Sequence, residues 1–212
     1  GLKHAGIPRI VALEEEEDRA YILMDYVGAQ NLQQALSREG ELTAKTTVML
    51  MKQLAAVMSY LHSKRIIYRD LKPSNIMVVD GQVKLLDFGI SEAVGPDNMV
   101  IREALGTKGD APPEQGMAGT EYDFRSDIYS FGATMFQALT NVAPFVFQSK
   151  EVTLEDGRKR SRLDQKKPLD IRGLKTDLSQ GLQELVLKAT AFDPADRYQT
   201  FSEVLFALQN YE

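Results

Sequence analysis

The stretch Tyr68-Arg69-Asp70-Leu71-Lys72-Pro73-Ser74-Asn75, followed further on by Asp87-Phe88-Gly89, decides how this chain reads. Lys72 follows Asp70 by two positions and Asn75 follows it by five. An apolar strand, Ile76 to Val79, comes next, then a turn at Asp80-Gly81 and a second strand, Val83 to Leu86, that ends on Asp87. Asp-Gly between two apolar runs is a hairpin signal, and a hairpin turning there brings Asp87 back beside Asn75. Taken singly, each of these residues reads as a turn former or a solvated charge. Their joint spacing argues against that reading.

This pattern resembles the catalytic loop and metal-binding loop of protein kinases, whose template it matches residue by residue. Phosphoryl transfer needs little covalent help from the protein. It needs an in-line hydroxyl, clamped phosphates and cations near the developing charge. The resemblance implies that Asp70 accepts or orients the proton of the substrate hydroxyl and that Lys72 holds the moving phosphoryl group. It makes Asn75 and Asp87 the Mg²⁺ ligands, with Mn²⁺ as an alternative cation and ATP as the phosphoryl donor. Tyr68, where the family usually has His, is expected to pack under Phe88 in an apolar column that includes Ile10.

The resemblance runs from Leu2 to about Leu208. Arg9 to Glu14 and Ala20 to Tyr26 are rich in strand formers and flank the acidic run Glu14 to Asp18, which reads as a solvated turn in a hairpin. They correspond to the family's fourth and fifth strands. Met24 then falls at the gatekeeper position and Asp25-Tyr26-Val27 at the adenine-binding hinge. Met77 corresponds to the adenine floor and Asn31 to a ribose contact. The family places about a quarter of its domain before this point, including a Gly-rich phosphate loop, a strand lysine and a helix glutamate. No Gly-x-Gly-x-x-Gly and no Val-Ala-Ile-Lys occurs in the 212 residues. The expected fold is therefore α+β: residues 1–26 as a remnant of the kinase N-lobe, and 27–212 as a mainly α-helical C-lobe with the seventh–eighth strand hairpin. A chain so truncated is expected to be inactive by itself.

Further along, Asn31 caps a short helix to Ser37. Thr43 caps a long one, in which Val48, Met51, Leu54, Ala55, Met58 and Leu61 recur at helical spacing. His62 at its end reads as a surface or capping residue. Gly106-Thr107-Lys108-Gly109-Asp110-Ala111-Pro112-Pro113-Glu114 resembles the end of the kinase activation segment, with Thr107 matching the threonine that bridges Asp70 and Lys72. Asp110 and Pro112 depart from the family pattern there, in place of an aromatic and an Ala. Arg125 to Leu139 is apolar at Ile128, Phe131, Met135, Phe136 and Leu139 and reads as the family's buried F helix. Asp127 in it is expected to hydrogen-bond the catalytic-loop backbone, because a buried carboxylate is costly unless bonded. Asn141 to Arg172 reads as a helix and loops facing substrates or partners. Leu178 to Ala191 and Ser202 to Leu208 read as helices, and Arg197 is expected to pair with Glu114.

Composition sets the remaining bounds. The net charge of −5 argues against nucleic acid as the main partner, and with no Cys there is no disulfide framework or thiol chemistry. No apolar run reaches the length of a membrane span. These features fit a cytoplasmic protein or the cytoplasmic domain of a membrane-anchored one. Lys72 favours the serine/threonine kinases, and the general look is that of bacterial members, so the implied partners are protein substrates bearing Ser or Thr. Exposed apolar surface at Ile10 and Met24 favours self-association. Two alternatives have the same loop: a pseudokinase scaffold, supported by Tyr68, and a small-molecule kinase, opposed by Pro-Pro-Glu and Arg197. Residues 92–106 contain no Ser, Thr or Tyr but do contain Glu92, Asp97 and Glu103. Arg69 is expected to pair with one of these acids, Glu103 being best placed, and to order the segment without phosphorylation.

Overall fold

The computed structural model describes residues 2–16, 19–28, 30–89, 91–95, 100–101, 112, 121–144, 147–153, 159–165 and 170–212. Strand β1 (Ile10–Glu16) pairs antiparallel with β2 (Arg19–Met24), from Glu16↔Arg19 back to Ile10↔Met24. This hairpin stands away from the core: Ile10 is 63% exposed and Met24 42%, and Val11, Leu13, Ile22 and Leu23 are exposed too. The expected column of Tyr68, Phe88 and Ile10 is therefore corrected. Phe88 meets Tyr68 edge-on at 5.3 Å, but Ile10 lies outside the packed cluster.

The first two helices supply the first part of the core. Helix α1 (Leu32–Glu39) starts at a capping box in which Asn31 accepts from Gln34 N–H and Gln34 reaches back to Asn31 N–H. Helix α2 (Ala44–Ser63), capped by Thr43, buries Val48, Met51, Leu54, Ala55, Met58 and Leu61 on one face. Each of the larger side chains, Val, Leu and Met, contributes about 1.5–3 kcal/mol by leaving water. Strand β3 (Ile66–Ile67) follows, then a 3₁₀ turn at Pro73–Asn75 and the hairpin β4 (Ile76–Val79) and β5 (Gln82–Leu85). Asp80 (φ 50°) and Gly81 (φ 73°) both take the left-handed conformation that a two-residue hairpin turn requires. Gln53 of α2 locks this hairpin, donating to Gly81 O at 2.7 Å and accepting from Val83 N at 3.0 Å.

Strand β6 (Glu92–Ala93) pairs antiparallel with β3, and β7 (Val100–Ile101) with β8 (Glu121–Tyr122). Helix α3 (Phe124–Thr140), capped by Asp123, is buried on almost every side. Gly132 admits its neighbour: a Cβ there would lie 2.7 Å from Ala189 Cβ, in the helix α5 (Gln180–Ala189) packed across it. The short helix α4 (Ile171–Leu174) precedes α5, and α6 (Phe201–Gln209) closes the bundle against α2.

The stretch from Asn141 to Arg172 differs from the expected helix and loops. Strands β9 (Phe147–Thr153) and β10 (Lys159–Gln165) form an antiparallel ladder from Thr153↔Lys159 to Phe147↔Gln165, and the only helix described there begins at Ile171. A polar hairpin is held by backbone bonds, which side-chain polarity does not report. Among the described residues no helix is long and apolar enough to cross a membrane.

Candidate active site

The loop after β3 is strained, and a buried carboxylate fixes it. Arg69 has φ 73°, unusual for a residue with a side chain. Asp127, fully buried near the start of α3, accepts from Tyr68 N–H through Oδ2 and from Arg69 N–H through Oδ1, both at 2.8 Å. His62 Nε2 is also 2.8 Å from Asp127 Oδ2, and its ring packs against Phe124 and Phe201. A carboxylate can only accept, so the proton of this bond belongs on His62 Nε2. The strained turn therefore rests on an acceptor held from both sides.

Asp70 follows directly. Lys72 Nζ lies 2.9 Å from its Oδ1 and 2.8 Å from its Oδ2. Asn75 Nδ2 donates to both the carbonyl and Oδ2 of Asp70, each at 2.9 Å. Leu86 N–H donates to Asn75 O at 2.9 Å, which extends the β4–β5 pairing and returns the chain to this loop just before Asp87. Asp87 (φ 59°) is exposed, and its Oδ1 accepts from Gly89 N–H at 3.1 Å. With Asn75 Nδ2 turned to Asp70, its carbonyl oxygen and the Asp87 carboxylate are the donors left for a cation. That set fits Mg²⁺, which takes one or two protein oxygens and completes its shell with water and phosphate.

Tyr68 closes the floor of the site. Its ring is fully buried, and its hydroxyl donates to Leu86 O. Burial pushes this hydroxyl well above the ordinary phenol range, with the charge of Asp70 and then those of Asp87 and Asp127 acting the same way against a hydrogen bond from Asn75. Tyr68 is thus a neutral donor. Arg69 points the other way and donates through Nη1 to Glu92 Oε2 at 3.1 Å.

The family profile described as protein kinase domain matches residues 1–207. The chain belongs to the protein kinase family. It is 32% identical over 206 residues to the serine/threonine-protein kinase PrkC of Bacillus subtilis, covering 96% of this chain and 31% of that protein. It is 34% identical over 211 residues to the serine/threonine-protein kinase PknB of Mycobacterium tuberculosis, covering 96% of this chain and 33% of that one. Against the serine/threonine-protein kinase pkn3 of Myxococcus xanthus it is 33% identical, over 92% of this chain and 37% of the relative. The chain thus spans about a third of the length of the curated relatives it matches.

In this kinase chain the sequence resemblance assigns Met24, Asp25, Val27, Asn31 and Met77 to the nucleotide. Met24 and Asp25 are exposed at the end of β2, and Asp25 meets Arg9 at 3.3 Å. Val27 is half-buried, and Gly28 (φ 95°) lies so close to β4 that a Cβ would be 2.7 Å from Val79. Asn31 forms an isolated antiparallel bridge to Met77, which is buried. The Asn31 side-chain oxygen is engaged in the α1 cap, a use that competes with a ribose contact. Thr107, Glu114 and Glu103 lie outside the described residues. Arg197 is buried and donates to Ala191 O, Arg125 O and Phe192 O at 2.8–3.1 Å, stacked over Tyr129. The residue that sequence reasoning missed is His62; the signal available was its place at the end of a helix leading into the loop.

Proposed function

We propose that the full-length protein is a serine/threonine protein kinase that moves the γ-phosphoryl group of ATP onto Ser or Thr of a protein. The observation that carries this reading is the Asp70 carboxylate, gripped by Lys72 and Asn75 on a turn tied to Asp127. Asp70 orients the substrate hydroxyl and takes its proton, and Lys72 sets a positive charge beside the transferring group. Asn75 and Asp87 would hold Mg²⁺, which when bound neutralises phosphate charge and keeps the phosphates in line. Thr107 would brace Asp70 against Lys72, and Glu114 would add a carboxylate partner to Arg197. Met24, Asp25, Val27, Asn31 and Met77 would line the nucleoside pocket.

The finer points rest on sequence and exposure. The 212 residues contain no Gly-rich phosphate loop, so this stretch assayed alone should turn over slowly or not at all. Its exposed β1–β2 face favours association with a second apolar surface. The lack of Cys fits a cytoplasmic setting. The test is labelled phosphate transfer by the full-length protein to a mixed protein substrate, with hydrolysis to identify the phosphoamino acids. Mg²⁺-dependent phosphoserine or phosphothreonine that disappears in Asp87→Asn is expected. Phosphotyrosine alone, or label only on a small molecule, would refute the reading.

A further inference from the structure

We infer that Glu92 is a built-in counter-ion for Arg69, holding the loop that carries Asp70 in its working shape without phosphorylation of residues 92–106; the inference rests on the kinase reading above. The Arg69 side chain is only 3% exposed and adjoins Asp70 in sequence. A guanidinium so buried has to meet a negative charge or strong acceptors. Its Nη1 donates to Glu92 Oε2 at 3.1 Å.

The backbone delivers that carboxylate. Glu92 stands opposite Ile67 in the β3–β6 pair, and β3 leads straight into Tyr68 and Arg69. Arg65 closes the far end of the pair: Val94 N–H donates to Arg65 O at 2.9 Å and Arg65 Nε donates to Val94 O at 3.2 Å. Ser91 Oγ donates to Tyr68 O at 3.2 Å, so this hydroxyl is also part of the clamp. The strained turn at Arg69 is thus held by Asp127 at its N–H and by Glu92 at its side chain.

In switching kinases the anion arrives by phosphorylation, which creates a new arginine–phosphate pair and orders the segment. Here a carboxylate already sits on the arginine, and positions 92–106 carry no hydroxyl to modify. A phosphate brought to Arg69 from elsewhere would meet the charge of Glu92 and have to displace it. Glu92 is therefore a positioning residue whose effect reaches the substrate through Arg69 and Asp70.

The experiment uses the full-length protein, treated with phosphatase and shown by mass spectrometry to carry no phosphate between residues 87 and 122. Its peptide-phosphorylation rate should match that of untreated protein. Glu92→Gln should lower kcat about tenfold at unchanged KM for ATP, with Glu92→Asp intermediate. Glu92→Gln should also speed hydrogen exchange at the Val94 amide by about tenfold, as loss of the charge, though not of the acceptor, from the bond to Arg69 implies. Loss of activity on phosphatase treatment, or wild-type kcat and Val94 exchange in Glu92→Gln, would overturn the inference. If the untreated wild type transfers no phosphate, the kinase reading falls, and the exchange measurement alone decides the Glu92–Arg69 assignment. Should Glu92→Gln fail to fold, Glu92→Asp decides by the same two readouts.

Discussion

Replacing Asp127 by Asn keeps the shape of the side chain and removes half of what it does. Asp127 is fully buried, with Arg69 N–H on Oδ1 and both Tyr68 N–H and His62 Nε2 on Oδ2. Asn can keep Oδ1 for Arg69, but its NH₂ then faces the Tyr68 N–H. His62 can change tautomer and accept from the new amide; the Tyr68 N–H cannot adapt. A hydrogen bond to a charged group contributes about 1.5–3 kcal/mol, and a stranded buried donor costs about 1–3 kcal/mol. Allowing for overlap between these figures, Asp127→Asn should cost about 3 kcal/mol. In a domain of this size that lowers the melting temperature by roughly 6–12 °C. The assay is urea and thermal unfolding of wild type, Asp127→Asn and Asp127→Ala, with hydrogen exchange at the Tyr68 and Arg69 amides. Exchange at Tyr68 should rise in Asp127→Asn and at both amides in Asp127→Ala. An unchanged midpoint with a protected Tyr68 amide would refute the view that this carboxylate holds the loop.

Three further outcomes follow from the same contacts. His62→Ala removes a donor to Asp127 and the ring between Phe124 and Phe201, and should cost about 2–3 kcal/mol by urea midpoint, with partial recovery in His62→Gln. Arg197→Lys should lose roughly 3 kcal/mol, because one ammonium cannot reach the three carbonyls that the guanidinium spans; wild-type stability would contradict this. The Tyr68 hydroxyl is raised above its ordinary value of 10.0, so the unfolded chain gives up this proton first. Its contribution is intact below about pH 10 and is lost above it at about 1.4 kcal/mol per pH unit, so the stability of Tyr68→Phe should fall less steeply between about pH 10 and 11.

What the sequence made legible is what local chemistry announces. The apolar spacing from Val48 to Leu61 and from Ile128 to Leu139 gave α2 and α3 nearly to their ends, and Thr43 and Asn31 stand at the caps assigned to them. Asp80-Gly81 named its own turn. The Phe147–Gln165 hairpin was missed because its ladder is made of backbone bonds between polar residues, which mimic a solvated loop in composition. His62 was misread because nothing near it in sequence signals a carboxylate 65 positions away. Of the three acids, position in the loop favoured Glu103, which lies outside the described residues; the partner described for Arg69 is Glu92, brought there by strand pairing that composition does not signal. Ile10 was assigned to a packed column by resemblance, yet no described neighbour covers it.

Phosphoryl transfer by the full-length protein should depend on Asp70, oriented by Lys72 and Asn75. The direct measurement is the single-turnover rate of labelled phosphate transfer from Mg·ATP to a serine- or threonine-bearing protein by the full-length wild type and by Asp70→Asn. General-base assistance of this kind is worth about 10²–10⁴-fold, so the variant should be slower by at least the lower figure while its melting temperature stays close to that of the wild type. Equal rates in the two proteins would contradict the account.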